Sequence, residues 1–63
     1  MKLKWNYDKR FKQWWVNFDC EDGFLIEKED NLYFLKRDNQ FRSVGYFRLL
    51  KNAKKVAQLL YNG

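Results

Sequence analysis

The stretch FRSVGYFRLLKNAKKVAQLLY, residues 41–61, decides the fold because its hydrophobic period changes partway along it. Its first part, residues 41–48, has the aromatic and β-branched content of a strand. Beyond it, apolar side chains recur every three or four positions, which predicts an amphipathic helix over about residues 49–61. The apolar stripe consists of Leu50, Ala53, Ala57 and Leu60, with Leu49 and Val56 beside it. A strand that leads directly into such a helix predicts a sheet with the helix packed across one face.

Four further strands are predicted upstream, and short polar turns separate them. They cover residues 3–7, 14–18, 24–28 and 32–37. Apolar and polar side chains alternate along them, and Gly23, in the turn before the third, is free to take a positive φ. Turns this short join antiparallel neighbours. The expected fold class is therefore α+β: an antiparallel sheet of four to five strands with one C-terminal helix on one face, in a single domain over residues 1–63.

One motif spans the corner between the last strand and the helix. It is Gly45-x-Phe47-x5-Ala53-x3-Ala57, in which the glycine lets the helix approach the strand and the two alanines leave room for the Phe47 ring. Over residues 33–60 the chain resembles the end of DNA-binding domains built from a three-stranded sheet and a helix. Examples are the arm-binding domains of phage-type tyrosine integrases and the plant Apetala-type domains. The resemblance implies that DNA is read by the sheet face opposite the helix.

Charge is distributed unevenly along the chain, whose formal net charge is +5. Residues 1–16 hold five basic side chains and one acidic, and residues 32–63 hold seven basic and one acidic. Between them, residues 17–31 hold six acidic side chains and one lysine. An excess of positive charge concentrated in two stretches favours nucleic acid as the partner. The preference for DNA is what the resemblance implies.

The strand before the helix carries the centre of the predicted binding site. With Phe47 turned toward the helix, alternation places one set of side chains beside it and another set on the free side of the sheet. Beside Phe47 are Phe41, Ser43 and Gly45. On the free side are Arg42, Val44, Tyr46 and Arg48. Arginines bind phosphates and a tyrosine stacks on a base, whereas the alternative is a solvated polar face that keeps the protein soluble.

Neighbouring residues extend this site. Lys36 and Arg37 are expected to enlarge the basic patch, and Trp15, which points the opposite way from Trp14, is a candidate stacking ring or protein-binding anchor. The predicted contacts of nucleic acid or another partner are therefore Trp15, Lys36, Arg37, Arg42, Tyr46 and Arg48. The helix lysines Lys51, Lys54 and Lys55 are interpreted as a solvated face that can add phosphate contacts.

The residues that catalysis usually needs are missing from the sequence. There is no histidine to act as a base near neutral pH, and the only serine and the only cysteine, Ser43 and Cys20, have no activating setting. No glycine-rich phosphate loop is present. The acidic stretch lacks the ligand spacing of a calcium loop, so its carboxylates are interpreted as solvated turns. The sequence thus predicts a non-enzyme without metal, cofactor or small-molecule substrate.

Composition also predicts where the protein acts. A single cysteine favours a reducing compartment, and no apolar run reaches the roughly 18 residues of a membrane span, so a cytoplasmic protein without membrane contact is expected. Usage rich in Lys, Asn, Phe and Tyr is typical of AT-rich genomes, including those of phages. The leading hypothesis is a nucleic-acid-binding protein of a phage or mobile element. The alternative is a phage-type inhibitor, such as an anti-CRISPR or host-takeover protein, that blocks a host protein; a packing subunit of a larger assembly is a third possibility.

Overall fold

A computed structural model describes residues 2–19, 22–38 and 42–63, in which five strands precede one helix. The strands are β1 (Asn6–Asp8), β2 (Gln13–Asp19), β3 (Asp22–Glu29), β4 (Leu32–Arg37) and β5 (Arg42–Phe47), and the helix is α1 (Leu50–Asn62). Each strand pairs antiparallel with the next, so the order across the sheet is the order along the chain. The predicted α+β architecture, an antiparallel sheet with one C-terminal helix, is confirmed.

Two of the connections between strands are stabilised by aspartates. After β1, the Oδ1 atom of Asp8 accepts a hydrogen bond from the Arg10 backbone N–H at 2.9 Å, and Lys12 takes a positive φ of 52° before β2 begins. Between β3 and β4, Asp30 has a φ of 55°. Aspartate tolerates this left-handed region because its short side chain can bond to nearby backbone. These compact turns give the sheet its simple up-and-down order.

The predicted first strand is placed differently in the structure. Residues 2–5, here called the N-terminal segment, lie outside the sheet and run beside α1. Leu3 is buried in the core, and its backbone N–H donates to the Oε1 atom of Gln58 at 2.7 Å. The alternation of apolar and polar residues predicted a strand here because side chains alternate every two residues in any extended segment. That alternation is the same whether the segment pairs in a sheet or lies against a helix.

The core lies between α1 and one face of the sheet. Phe24, Ile26 and Leu35 occupy the centre of that face and have almost no exposed surface. Ala53 and Ala57, one turn apart on the helix, are fully buried against them. Since each large apolar side chain contributes about 1.5–3 kcal/mol when fully buried, this small layer supplies much of the stability. Partly buried side chains that surround it include Trp5, Trp14, Phe18, Tyr33, Val44 and Phe47.

The pairing of β4 with β5 contains an irregularity that changes the predicted orientation of β5. Tyr33 lies opposite Phe47 and Leu35 opposite Gly45, but Lys36 then lies opposite Ser43. Val44 is therefore an extra residue in the ladder, as in a β-bulge. One inserted residue reverses the alternation beyond it. The expectation that Ser43 shares the side of Phe47 is wrong, because Ser43 is opposite Lys36, whose neighbour Leu35 faces the helix.

The two glycines of the sheet have roles other than those expected. Gly45 was predicted to let the helix approach, but a Cβ atom added there would meet only the Phe47 ring, at 3.6 and 3.7 Å. Gly23 has no positive φ and lies within β3, opposite Asn17. A Cβ atom at Gly23 would clash with the backbone oxygen of Val16 and lie 2.6 Å from Oδ1 of Asn17. Close approach of the β2 backbone, and not a turn conformation, is what requires glycine at position 23.

Substituting each of these glycines by alanine tests that assignment. Gly23→Ala should lower the free energy of unfolding by about 1–3 kcal/mol, because the added methyl group forces the two strands apart. For a domain of this size that corresponds to a fall in Tm of roughly 5–20 °C. Gly45→Ala is the matched control and should change stability by less than about 1 kcal/mol, since the added methyl group would lie at ordinary van der Waals distances from the Phe47 ring. Equal melting temperatures for the two variants would contradict the close approach at Gly23.

Candidate binding interface

The sheet face opposite α1 has no described element packed over it. Strand register places its side chains in two rows across the sheet. We call this surface the open face, and it consists of Asn6, Asp8, Gln13, Trp15, Leu25, Glu27, Phe34, Lys36, Ser43 and Tyr46. Because the described residues form a single helix, which covers one face, the second face is left to solvent or to a partner.

Aromatic and aliphatic side chains occupy much of the open face. Tyr46 on β5 is 67% exposed and Trp15 on β2 is 39% exposed. Between them on β4 lies the half-buried ring of Phe34, whose centroid is 6.1 Å from that of Tyr46. Leu25 fills the β3 position next to Trp15. With strands about 4.8 Å apart, the rings extend over about 14 Å, a surface on which planar groups can stack.

Charge on the open face is nearly balanced. The Nζ atom of Lys36 lies 2.9 Å from Oε1 of Glu27, and both side chains remain accessible to water. An exposed ion pair of this kind adds little stability, but it cancels the charge that Lys36 was expected to contribute. As defined above, the open face holds one cation, Lys36, and two anions, Glu27 and Asp8. The aromatic part of the predicted site is therefore present, whereas the basic part is weaker than expected.

Arg37 does not extend the patch that Lys36 begins, and that prediction is wrong. Consecutive residues of a strand point to opposite faces, so Arg37 lies on the helix side. There its Nη2 atom is 2.8 Å from Oδ2 of Asp22, and its Nε atom donates to Oδ1 at 3.2 Å. Its guanidinium also lies over the rings of Phe24 and Phe18, at 5.3 and 5.9 Å from their centroids. The hydrogen bond to Asp22 raises the pKa of Arg37, whose role is structural.

The two remaining arginines flank β5. The backbone of Arg42 is paired opposite Arg37 because of the bulge, and the predicted contact by its side chain lies outside the described part of the structure. Arg48 follows β5 immediately and is exposed at the junction with α1. Of the six predicted site residues, the structure therefore brings Trp15, Lys36 and Tyr46 onto one face, with Arg48 at its border.

Sequence analysis missed two members of the open face, Phe34 and Leu25. The signal for Phe34 was its spacing of two residues from Lys36, which puts both on the same face of a strand. Leu25 lies between the core residues Phe24 and Ile26 and must therefore point away from the core. Both have apolar neighbours in the sequence, so alternation of apolar and polar residues is hidden around them.

A group of lysines without acidic neighbours in sequence lies on the opposite layer. The N-terminal segment and α1 contain no acidic residue, and their exposed or half-exposed cations are Lys2, Lys4, Lys51, Lys54 and Lys55. The bond between Leu3 and Gln58 holds these two parts of the chain together. Two basic stretches that are remote in sequence thus form one positive surface, on the side of the molecule away from the open face.

Neither a metal centre nor a membrane-spanning helix is evident in residues 2–19, 22–38 and 42–63. In those ranges, no three acidic or cysteine side chains converge closely enough to hold a metal ion. The 13 residues of α1 form too short and too polar a helix to cross a bilayer. Comparison with known protein families, curated proteins and solved structures gave no match to this chain.

The contrasting environments of Arg37 and Lys36 give a testable difference in stability. Arg37→Ala should lower the free energy of unfolding by about 1–2 kcal/mol, because it removes two charge-assisted hydrogen bonds and leaves the half-buried Asp22 without its cation. Lys36→Ala should change it by less than about 1 kcal/mol, because its partner Glu27 stays solvated. Urea denaturation followed by circular dichroism measures both. A loss as large for Lys36→Ala as for Arg37→Ala would mean that the two ion pairs are equivalent.

Proposed function

We propose that this protein binds nucleic acid and that single-stranded segments stack on the open face. The observation that carries the proposal is the group of three rings on a sheet face that no described element covers: Phe34 and Tyr46 are neighbours in one row, and Trp15 lies in the other row, on β2. Bases inside a duplex are already stacked on one another, so side-chain rings on a flat sheet are accessible only to unpaired bases. This favours single strands over duplexes as the ligand.

Electrostatics supports such binding mainly at long range. The net charge of +5 attracts a polyanion from solution, and Arg48, which is exposed two residues beyond Tyr46, would meet a phosphate there. Because Lys36 is paired with Glu27 and Arg37 with Asp22, few cations are left near the rings. With two or three phosphate contacts, the affinity for a single strand should fall only about 5- to 20-fold between 50 and 200 mM salt.

A second candidate, a phage-type inhibitor that docks on a host protein, is favoured by the near-neutral charge of the open face. The cores of protein interfaces are poor in charge and rich in tyrosine and tryptophan. Trp15 and Tyr46 have the exposure that such anchors need, and the ion pair of Glu27 with Lys36 lies between them without a net charge. In both candidate functions the chain is a non-enzymatic binding protein, and a cytoplasmic site of action and an origin in a phage or mobile element belong to the same proposal.

Replacing single rings tests the stacking surface. Tyr46→Ala and Trp15→Ala should each weaken binding of labelled oligothymidine by about 1–3 kcal/mol, roughly 5- to 150-fold, because each removes the platform for one base. Phe11→Ala is the matched control, since Phe11 is 62% exposed but lies in the turn between β1 and β2. Its affinity should equal that of the parent. Fluorescence anisotropy in low and high salt gives all three affinities, and duplex DNA measured in parallel gives the preference for single strands.

The same titrations separate the two candidate functions. If neither oligothymidine nor duplex DNA is bound at micromolar protein in low salt, nucleic-acid binding is excluded. Capture of one host protein that survives nuclease treatment, and that Tyr46→Ala abolishes while Phe11→Ala does not, would then support the inhibitor. Equal effects of all three substitutions on oligothymidine binding would show that the open face is not the site.

A nuclease assay tests the proposal that the protein is not an enzyme. We expect no cleavage of single-stranded or duplex DNA with magnesium or manganese, because Asp22 is engaged by Arg37 and the described carboxylates do not converge on a common point. Gel electrophoresis after prolonged incubation measures this. Metal-dependent cleavage that is lost in a variant lacking Asp19, Glu21 and Asp22 would overturn the expectation.

A further inference from the structure

A groove separates the N-terminal segment from the outer surface of α1, on the side of the molecule away from the open face. Its volume is about 660 Å³. Lys2 lines it on one wall, and Lys54 and Lys55 line it on the other. Its apolar lining residues are Leu3, Trp5 and Leu59. The open face contributes none of these residues, so the groove is a second, separate surface.

Contacts within the fold keep the two walls of the groove at a fixed separation. The backbone N–H of Leu3 donates to Oε1 of Gln58 at 2.7 Å, and Nε2 of Gln58 donates to Oδ1 of Asn62 at 3.0 Å. Leu3 itself is buried, and the Trp5 ring packs 6.5 Å from that of Phe24. A groove whose walls are anchored in the core exists before any ligand arrives, which lowers the entropic cost of binding.

Both the charge and the apolar surface of the groove restrict what can occupy it. Three lysines line it, and no acidic residue occurs in the N-terminal segment or in α1 to neutralise them. Leu59 is 61% exposed beside these lysines, which leaves an aliphatic side chain without a partner in the described structure. A suitable ligand therefore carries negative charges and apolar groups close together.

We propose that this groove binds an acidic peptide segment of another protein, in which carboxylates alternate with apolar side chains. The carboxylates would pair with Lys2, Lys54 and Lys55, and an apolar side chain would cover Leu59 and the edge of Trp5. From Lys54 to Asn62 the helix rises about 12 Å, which corresponds to about four residues of extended peptide. Alternation in an extended chain turns neighbouring side chains to opposite sides, so both kinds of contact are made at once.

Nucleic acid fits the groove less well than peptide. Arginine, whose planar fork suits phosphate, is absent from its lining, and Leu59 offers no flat ring for a base. The one ring present, Trp5, is half-buried against the core, and no second ring lines the groove for a neighbouring base. Oligonucleotide binding at this groove is therefore the competing outcome of the experiment.

Charge reversal on the two sides of the molecule tests the proposal. The probe is a labelled peptide of alternating glutamate and leucine, measured by fluorescence anisotropy at low salt. Lys54→Glu with Lys55→Glu should weaken its binding at least about tenfold, because attraction becomes repulsion at the groove. Lys9→Glu with Lys28→Glu makes the same change of net charge at two exposed positions outside the groove and should weaken binding less than about threefold.

A second variant tests the apolar contact separately, in a protein that is expected to keep its fold. Leu59→Ser changes an exposed side chain, so Tm should stay close to that of the parent, while peptide affinity should fall about 3- to 10-fold. A peptide with lysine in place of glutamate should not bind. The proposal is overturned if the parent does not bind the acidic peptide at high micromolar concentration, or if both charge-reversed pairs weaken binding equally. It is also overturned if oligothymidine displaces the peptide and depends on Lys54 and Lys55.

Discussion

The contact of Ala53 and Ala57 with the sheet side chains Phe24, Ile26 and Leu35 is the constraint on which the rest of the structure depends. All five are almost completely buried, and the small alanines allow α1 to lie close to a sheet face that large side chains fill. With a single helix in the described chain, this contact covers one face and leaves the other open. The placement of both proposed binding surfaces follows from that division.

The division also separates two kinds of surface chemistry. On the sheet, Asp22 and Glu27 each pair with an arginine or lysine of β4, so its positive charge is largely cancelled and its rings dominate the open face. On the other layer, the N-terminal segment and α1 bring lysines together without any acid. A chain with an aromatic, nearly neutral face and a basic, grooved face can engage two partners of different chemistry at once, which is how we interpret both proposals.

Local patterns in the sequence predicted much of the fold. The period changes near residue 48, β4 occupies the predicted residues, and the apolar stripe of α1 contains the two alanines that are buried. Alternation also separated Trp14, which packs against Tyr7 and Tyr33, from the exposed Trp15. These features depend on neighbours within a few residues, where steric preferences and the spacing of side chains along one element act directly.

The sequence by itself determined the fold class, the order of the elements and the opposite orientations of Trp14 and Trp15, whereas the tertiary structure was needed to show that Trp15 is the exposed one of the two. Only the tertiary structure decided that Val44 interrupts the ladder, that Arg37 is held by Asp22 under the helix side of the sheet, and that the N-terminal segment lies on α1 beside Gln58. Each of these joins residues far apart in the chain. Their positions depend on which surfaces pack together. The spacing of apolar residues along one element does not show which distant residues that element will contact.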